Sequence, residues 1–367
     1  MDKIKKFIDC FVPVYNCNFK CKYCYISTWE GWKQEENSKK INFSPELIRK
    51  ALSRERWGGN LMLNFCAAGE TLLCKELLPI IRELLEEGHY CMIVTNGTIS
   101  PKFEEMSKWP EELKSHLFIK FSYHFLELKR LKLTEVFFNN VKKMKNSGIS
   151  FTVEVTPSDE YIPYIEDIKK ECLDATGALP HITVCRIENG NVPIMSNLSK
   201  EEFIKTWSQF ESELFNFKIK IFGESRKEFC YAGAWSYTLQ LVDGTLRQCY
   251  RGKKLQNIFK NINEPIKEIP VGCNCPDAHC WNGHAFLAFG DIPEMNAPTF
   301  EKERNRNTEY GEWLSKDMKL FMSTKLNESN SEYNEKEKER YNKKSALYKK
   351  NLEVKAKIKK VMKKNEK

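Results

Sequence analysis

The feature that most constrains this chain is an alternation that runs through its first 215 or so residues, where short apolar runs are each followed by a longer stretch of helical period. Strands are predicted over residues 7–14, 61–65, 91–95, 118–123, 150–155 and 182–187. Strands separated by helix-length segments cannot pair as tight hairpins, so the pattern calls for a parallel sheet with crossover helices. Ser44-Pro45-Glu46 reads as a helix start with Ser at the cap and Pro in the first turn. Further helices are predicted over residues 75–87, 126–146, 159–175 and 199–215, the last opened by a Ser199/Glu202 capping box. Gly88 and Gly148 stand where helix ends take a residue at positive φ. After residue 215 the texture changes. Residues 236–242 alternate, Asp243-Gly244 is a hairpin turn into 245–250, and the chain is then loop-rich to Pro293, as in a segment organised around a metal.

Fourteen cysteines would mean disulfides in a small secreted domain, whereas in a longer chain they point to metal or redox chemistry. The opening residues lack the apolar stretch of a signal peptide and no run of about 18 apolar residues occurs, so a cytoplasmic protein without a membrane partner is expected. Cys17, Cys21 and Cys24 form one group and Cys249, Cys273, Cys275 and Cys280 another. Cys10, Cys66, Cys74, Cys91, Cys172 and Cys185 are scattered among apolar residues and read as buried thiols. The net charge of +9 resides in the tail: from Lys325 onward there are 15 basic against 7 acidic residues, leaving 44 against 43 before it. Nucleic acid is therefore not expected as a partner, and the tail reads as a solvated helix, frayed or disordered.

Three thiols within eight residues, just after the first strand, can converge on one metal centre, and no fourth Cys or His lies near them in sequence to complete a structural zinc site. Three ligands leave one iron of a cubane cluster open. The run Cys17-Asn18-Phe19-Lys20-Cys21-Lys22-Tyr23-Cys24, with Tyr23 before the last cysteine, resembles the radical S-adenosylmethionine (SAM) superfamily. The resemblance covers the first two thirds of the chain and implies a partial (β/α)6 barrel, a SAM-binding 4Fe-4S cluster on Cys17, Cys21 and Cys24, and cleavage of SAM to a 5′-deoxyadenosyl radical. Ala68-Gly69-Glu70 is similar to the family's Gly-Gly-Glu motif and implies a seat for the SAM amine at Gly69 and Glu70. Thr95 and Asn96, then Ser122, Glu154 and Arg186, occupy later strand ends where the family contacts SAM, with His124 and Thr156 beside them.

Cys230, followed by Gly244 and Cys249 around the predicted hairpin, resembles the start of the Twitch and SPASM extensions, which carry an auxiliary 4Fe-4S cluster. That likeness implies a second cluster on Cys230, Cys249 and Cys280 with Cys273 or Cys275, the choice between the last two staying open. A structural zinc is the competing reading, with His279 or His284 as substitute ligands. The expected divisions are residues 1–215 for the barrel, 216–300 for a small β-hairpin Fe-S domain and 301–367 for a charged extension.

Hydrogen abstraction from a peptide or protein side chain is the expected activity, with an electron donor such as flavodoxin or ferredoxin. The alternatives are a radical SAM oxidoreductase acting on a sugar or nucleotide, and a non-catalytic zinc-binding protein associated with nucleic acid through its tail.

Overall fold

The structure, a computed structural model, describes residues 2–28, 38–187, 192–344 and 346–347. Six parallel strands, β1 (Lys6–Val12), β2 (Leu61–Ala67), β3 (Tyr90–Thr95), β4 (Leu117–Ser122), β5 (Ser150–Val155) and β6 (His181–Ile182), lie side by side in chain order. This is the α/β parallel sheet that the alternation predicts. β7 (Ser236–Gln240) pairs parallel to the free side of β1, and β8 (Thr245–Arg247) and β9 (Lys254–Asn257) continue antiparallel from it. The predicted hairpin thus exists, and it extends the same nine-stranded sheet.

Each of the six parallel strands is largely buried on both faces. One face, with Ile8, Cys10, Val12, Leu63, Ile93, Ile119 and Val153, packs against the crossover helices. The opposite parity, with Phe7, Met62, Tyr90, Met92 and Phe118, is covered by residues from the C-terminal third, including Phe286, Phe289, Phe321 and Leu326. A strand buried on both faces reads as a continuous apolar run, which is why the strands were visible in the sequence.

Several helices are shorter than the periodicity suggests. The stretch 126–146 breaks at Lys132, which is left-handed at φ 57°, into Phe125–Leu131 and Thr134–Asn146. Residues 159–175 begin as a 3-10 turn holding Pro163 before the helix Ile165–Thr176, because Pro lacks the amide an α-helix interior needs. The 199–215 stretch divides into Lys200–Ser208, with its capping box in place, and Glu213–Ile221, capped by Ser212. The strand expected at 182–187 shrinks to two residues, since β5 ends at Val155 and offers no further edge. Gly88 and Gly148 adopt the expected positive φ.

The tail is corrected in its first part, since residues 335–344 form the largely exposed helix that composition predicts but residues 325–333 are docked. Leu326 is fully buried and its amide donates to Phe289 O at 2.8 Å. The Lys325 ammonium donates to the carbonyls of Ala288, Ala297 and Pro298 at 2.6–2.8 Å. Asn330 reaches back to Lys5 O, and Tyr333 stacks on Tyr341 at 4.6 Å. Composition alone hid this because a few well-placed apolar and amide side chains suffice to dock a polar segment. Leu352, Val354, Ile358, Val361 and Met362, also assigned to that helix, lie outside the described residues.

Two outcomes follow. Ending the chain at Thr324 should lower the melting temperature relative to a chain ended at Leu347, since loss of the Leu326 contact alone is worth about 2 kcal/mol; equal melting temperatures would refute the docking. His89 is buried, accepts from Leu61 N at Nδ1 and donates through Nε2 to Leu52 O, and burial pulls its pKa from 6.5 to about 4. The unfolded chain therefore binds a proton between those values that the folded one refuses, so stability held above pH 6.5 is lost as pH falls toward 4, by roughly 3 kcal/mol at most. Urea denaturation across that window should show a flatter pH dependence for His89→Gln than for wild type.

Candidate functional site

The cysteine loop leaves β1 and is clamped to the end of β2. Gly69 N donates to Val14 O at 2.9 Å and Glu70 N to Asn16 O at 3.0 Å. A Cβ on Gly69 would lie 2.0 Å from Asn16 O, so no other residue fits there without moving the loop's backbone. Glu70 is 2% exposed, and its carboxylate accepts from Leu72 N at 3.0 Å, Thr95 Oγ1 at 2.6 Å and Asn96 N at 2.7 Å. Burial raises its pKa, while these three donors oppose that rise. Asn96 in turn donates to Asn18 Oδ1 at 2.6 Å.

These bonds bring Cys17, Cys21 and Cys24 to the carboxyl ends of the strands, all three partly buried. Phe19 N lies 3.4 Å and Asn96 Nδ2 3.9 Å from the Cys17 sulfur, both as donors. Burial nevertheless pushes the Cys17 thiol up to about 11 and Cys21 higher still. Thiolates here need a nearby cation, which bound iron would supply. Tyr23 pins the loop from the other side, its hydroxyl 2.6 Å from both His124 Nδ1 and Tyr161 OH. That bond occupies Nδ1 of the imidazole packed against the loop.

Inward-facing positions form a polar layer deeper in the sheet's concave side. Ser122 lies opposite Glu154 in register. Glu154, 3% exposed, sits 2.8 Å from Lys120 Nζ and 3.1 Å from Arg304 Nε, the latter a close ion contact without hydrogen-bond alignment. Burial alone would raise the Glu154 pKa, but Arg304 and Lys120 outweigh it and hold the carboxyl below its usual range. Beside them Asp9 accepts from Asn64 and Asn282, both at 2.8 Å, and burial lifts it to about 6. Arg186 lies over the Tyr25 ring at 4.5 Å and the Trp281 ring at 5.3 Å. Lys120 and Asp9 were overlooked in the sequence although a charge inside an apolar parallel strand was a usable signal. Arg304 had none, standing 150 residues from Glu154.

Cys230, Cys249, Cys275 and Cys280 line a largely apolar cavity. The thiols share one field: Cys249 and Cys275 each add to the rise that burial imposes on Cys280. Cys273 is not in that lining. Its amide donates to Asn342 Oδ1 at 2.9 Å and its sulfur accepts from Asn342 Nδ2 at 3.4 Å. Among the described residues no three Cys, His, Asp or Glu side chains converge closely enough for a single metal ion. Four thiols around a cavity suit a group with volume of its own, so the donor set fits an iron-sulfur cluster. His279 lines this cavity and an adjoining one as well, whereas His284 lines the adjoining one alone.

No family model matches the chain. Over 84 residues, 23% of its length, it is 33% identical to a protein of Methanocaldococcus jannaschii described as a glycyl-radical enzyme activating enzyme, and the match spans 29% of that relative. Among solved structures, SuiB of Streptococcus suis overlays with a TM-score of 0.46 at 13% identity, over 70% of this chain and 64% of SuiB. The enzyme anSMEcpe with bound AdoMet and a Cp18Cys peptide overlays at 0.49 and 15% identity, over 71% and 79% of the two chains. BtrN in complex with AdoMet and 2-DOIA overlays at 0.34 and 16% identity, over 73% and 89%. No helix among the described residues is long and apolar enough to cross a membrane.

Gly69→Ala should disturb the clamp directly. Overpacking of this kind costs about 1–3 kcal/mol, to be read as a lower denaturation midpoint, with Ala68→Gly as the tolerated control. An unchanged midpoint would show that the loop is not seated on Gly69.

Proposed function

We propose that this chain is a radical SAM enzyme that takes a hydrogen atom from a C–H bond of a peptide or protein side chain. The observation that carries the reading is the three-thiol loop, clamped at the carboxyl ends of the parallel strands by Gly69, Glu70 and Tyr23. A 4Fe-4S cluster on Cys17, Cys21 and Cys24 has one iron open to SAM and, when bound, supplies the electron that cleaves it to the 5′-deoxyadenosyl radical.

The chain's own residues do the rest. Phe19 N and Asn96 Nδ2 direct partial positive charge at the Cys17 sulfur and so favour its thiolate. Glu70 spends both carboxylate oxygens tying β2 to β3, which leaves the backbone carbonyls around Gly69 to receive the SAM amine. Ser122, beside the Lys120–Glu154 pair, and Arg186, over Tyr25, offer polar contact to SAM at neighbouring strand ends. Trp281 and its neighbours close one side of this space and limit water around a radical intermediate.

Cys230, Cys249, Cys275 and Cys280 hold a second cluster, and Cys273 serves as a backbone anchor for Asn342. The matched M. jannaschii protein is described as activating another enzyme, which agrees with a protein substrate. An external one-electron donor such as flavodoxin or ferredoxin completes the system.

The test is reductive cleavage of SAM. Anaerobically reconstituted protein with dithionite should form 5′-deoxyadenosine, and the Cys17/Cys21/Cys24→Ala variant should form none while keeping about four of its roughly eight irons. Cys275→Ala should lose the complementary four and Cys273→Ala should lose none. Retained 5′-deoxyadenosine in the triple variant, or zinc in place of iron, would sink the assignment.

A further inference from the structure

Buried nitrogen groups gather around one small pocket beside the second cysteine group. Its wall includes Val184, Arg186, Lys218, His279, Trp281 and His284. Lys218 projects from the helix Glu213–Ile221, is 9% exposed, and among the described residues makes one hydrogen bond, to Thr183 Oγ1 at 2.6 Å. Glu154, the carboxylate whose field reaches it, is already engaged by Lys120 and Arg304. Burial, reinforced by repulsion from Arg186 and Lys120, draws the Lys218 ammonium down to about 7.

A second, independent observation points into the same space. Nδ1 of His279, Nε1 of Trp281 and Nδ1 of His284 are all buried without a hydrogen-bond partner, and all three side chains line the cavity. His279 is 4% and Trp281 8% exposed. Buried polar atoms are nearly always paired, and three orphans in one wall are an exception that asks for a ligand. An indole N–H and an ammonium can only donate, and a neutral imidazole donates through whichever nitrogen carries its proton. The wall therefore calls for an acceptor, and the unbalanced cation calls for a negative one. A carboxylate supplies two oxygens with about four lone-pair sites.

We propose that this cavity is a carboxylate-binding subsite of the active site, where Lys218 and the Trp281 N–H hold an acidic group of the substrate. The proposal rests on the radical SAM reading, which makes the space between Tyr25 and the second cysteine group the place where a substrate must lie. It narrows the substrate class to molecules with a carboxylate within reach of the reacting carbon.

Acetate is the probe. Thermal unfolding of the cluster-loaded protein should show a saturable rise in melting temperature with sodium acetate over sodium chloride at equal ionic strength. The rise should persist in saturating SAM, should vanish in both Lys218→Gln and Lys218→Met, and should survive in part in Lys218→Arg. Absence of the rise in wild type, or its persistence in both uncharged variants, overturns the subsite. Its abolition by SAM assigns the cavity to the methionyl carboxylate and overturns the substrate assignment. Since unfolding needs no turnover, a failure here leaves the 5′-deoxyadenosine assay untouched, and a failure of that assay leaves the acetate result readable.

Discussion

The arrangement at the strand ends depends on one contact, the passage of the cysteine loop's backbone over Gly69. At 2.0 Å from the Asn16 carbonyl, the place where a Cβ would stand is already taken. The two backbone bonds on either side of Gly69 fix the loop to the exit of β2, and the Glu70 carboxylate then fixes that exit to the end of β3. Asn96 closes the ring by returning to Asn18 within the loop. Burying a carboxylate is unfavourable unless its lone pairs are met. Here three donors meet them, so the latch is rigid because any relaxation would strip a buried charge of its partners.

Below this ring the sheet's inner face carries charges that are met from elsewhere in the chain. Lys120 and Glu154 pair across neighbouring strands, and Arg304 arrives from the C-terminal third to share the same carboxylate. The deeper inner positions are filled by Phe286, Phe289 and Phe321 from that same third. The C-terminal segment therefore serves as the second half of the core for the sheet's concave side. This explains why residues 300–326, although highly charged in composition, bury Phe300, Leu314, Met318 and Leu326 almost completely.

What the sequence made legible was whatever depends on local pattern. The six parallel strands, the hairpin turn and the Ser199 capping box all follow from spacing within about ten residues, as does the three-cysteine loop. The losses were of long range. Nothing near Glu154 announces Arg304, nothing near Cys273 announces Asn342, and the choice between Cys273 and Cys275 depends on which side of a loop faces a cavity built by residues 230–292. Helix breaks at Lys132 and Pro163 were missed for a different reason. An apolar face can continue in phase across a short irregularity, so periodicity registers one helix where the backbone makes two.

The two cysteine groups are joined by side chains that immediately follow their cysteines. Tyr25 follows Cys24 and Trp281 follows Cys280, and the Arg186 guanidinium lies between their rings at 4.5 and 5.3 Å. Arg251 covers Trp281 as well, at 4.5 Å. Each such contact is worth only about 0.5–2 kcal/mol, the larger values belonging to desolvated pairs. Their placement matters more than their strength. The Tyr25–Arg186–Trp281 stack ties the residue after Cys24 to the residue after Cys280 through one guanidinium. Lys218, His279 and His284 line the pocket that Arg186 and Trp281 share. Such placement bears on chemistry because a displacement of about 1 Å suffices to spoil the approach of a substrate carbon to a reactive centre.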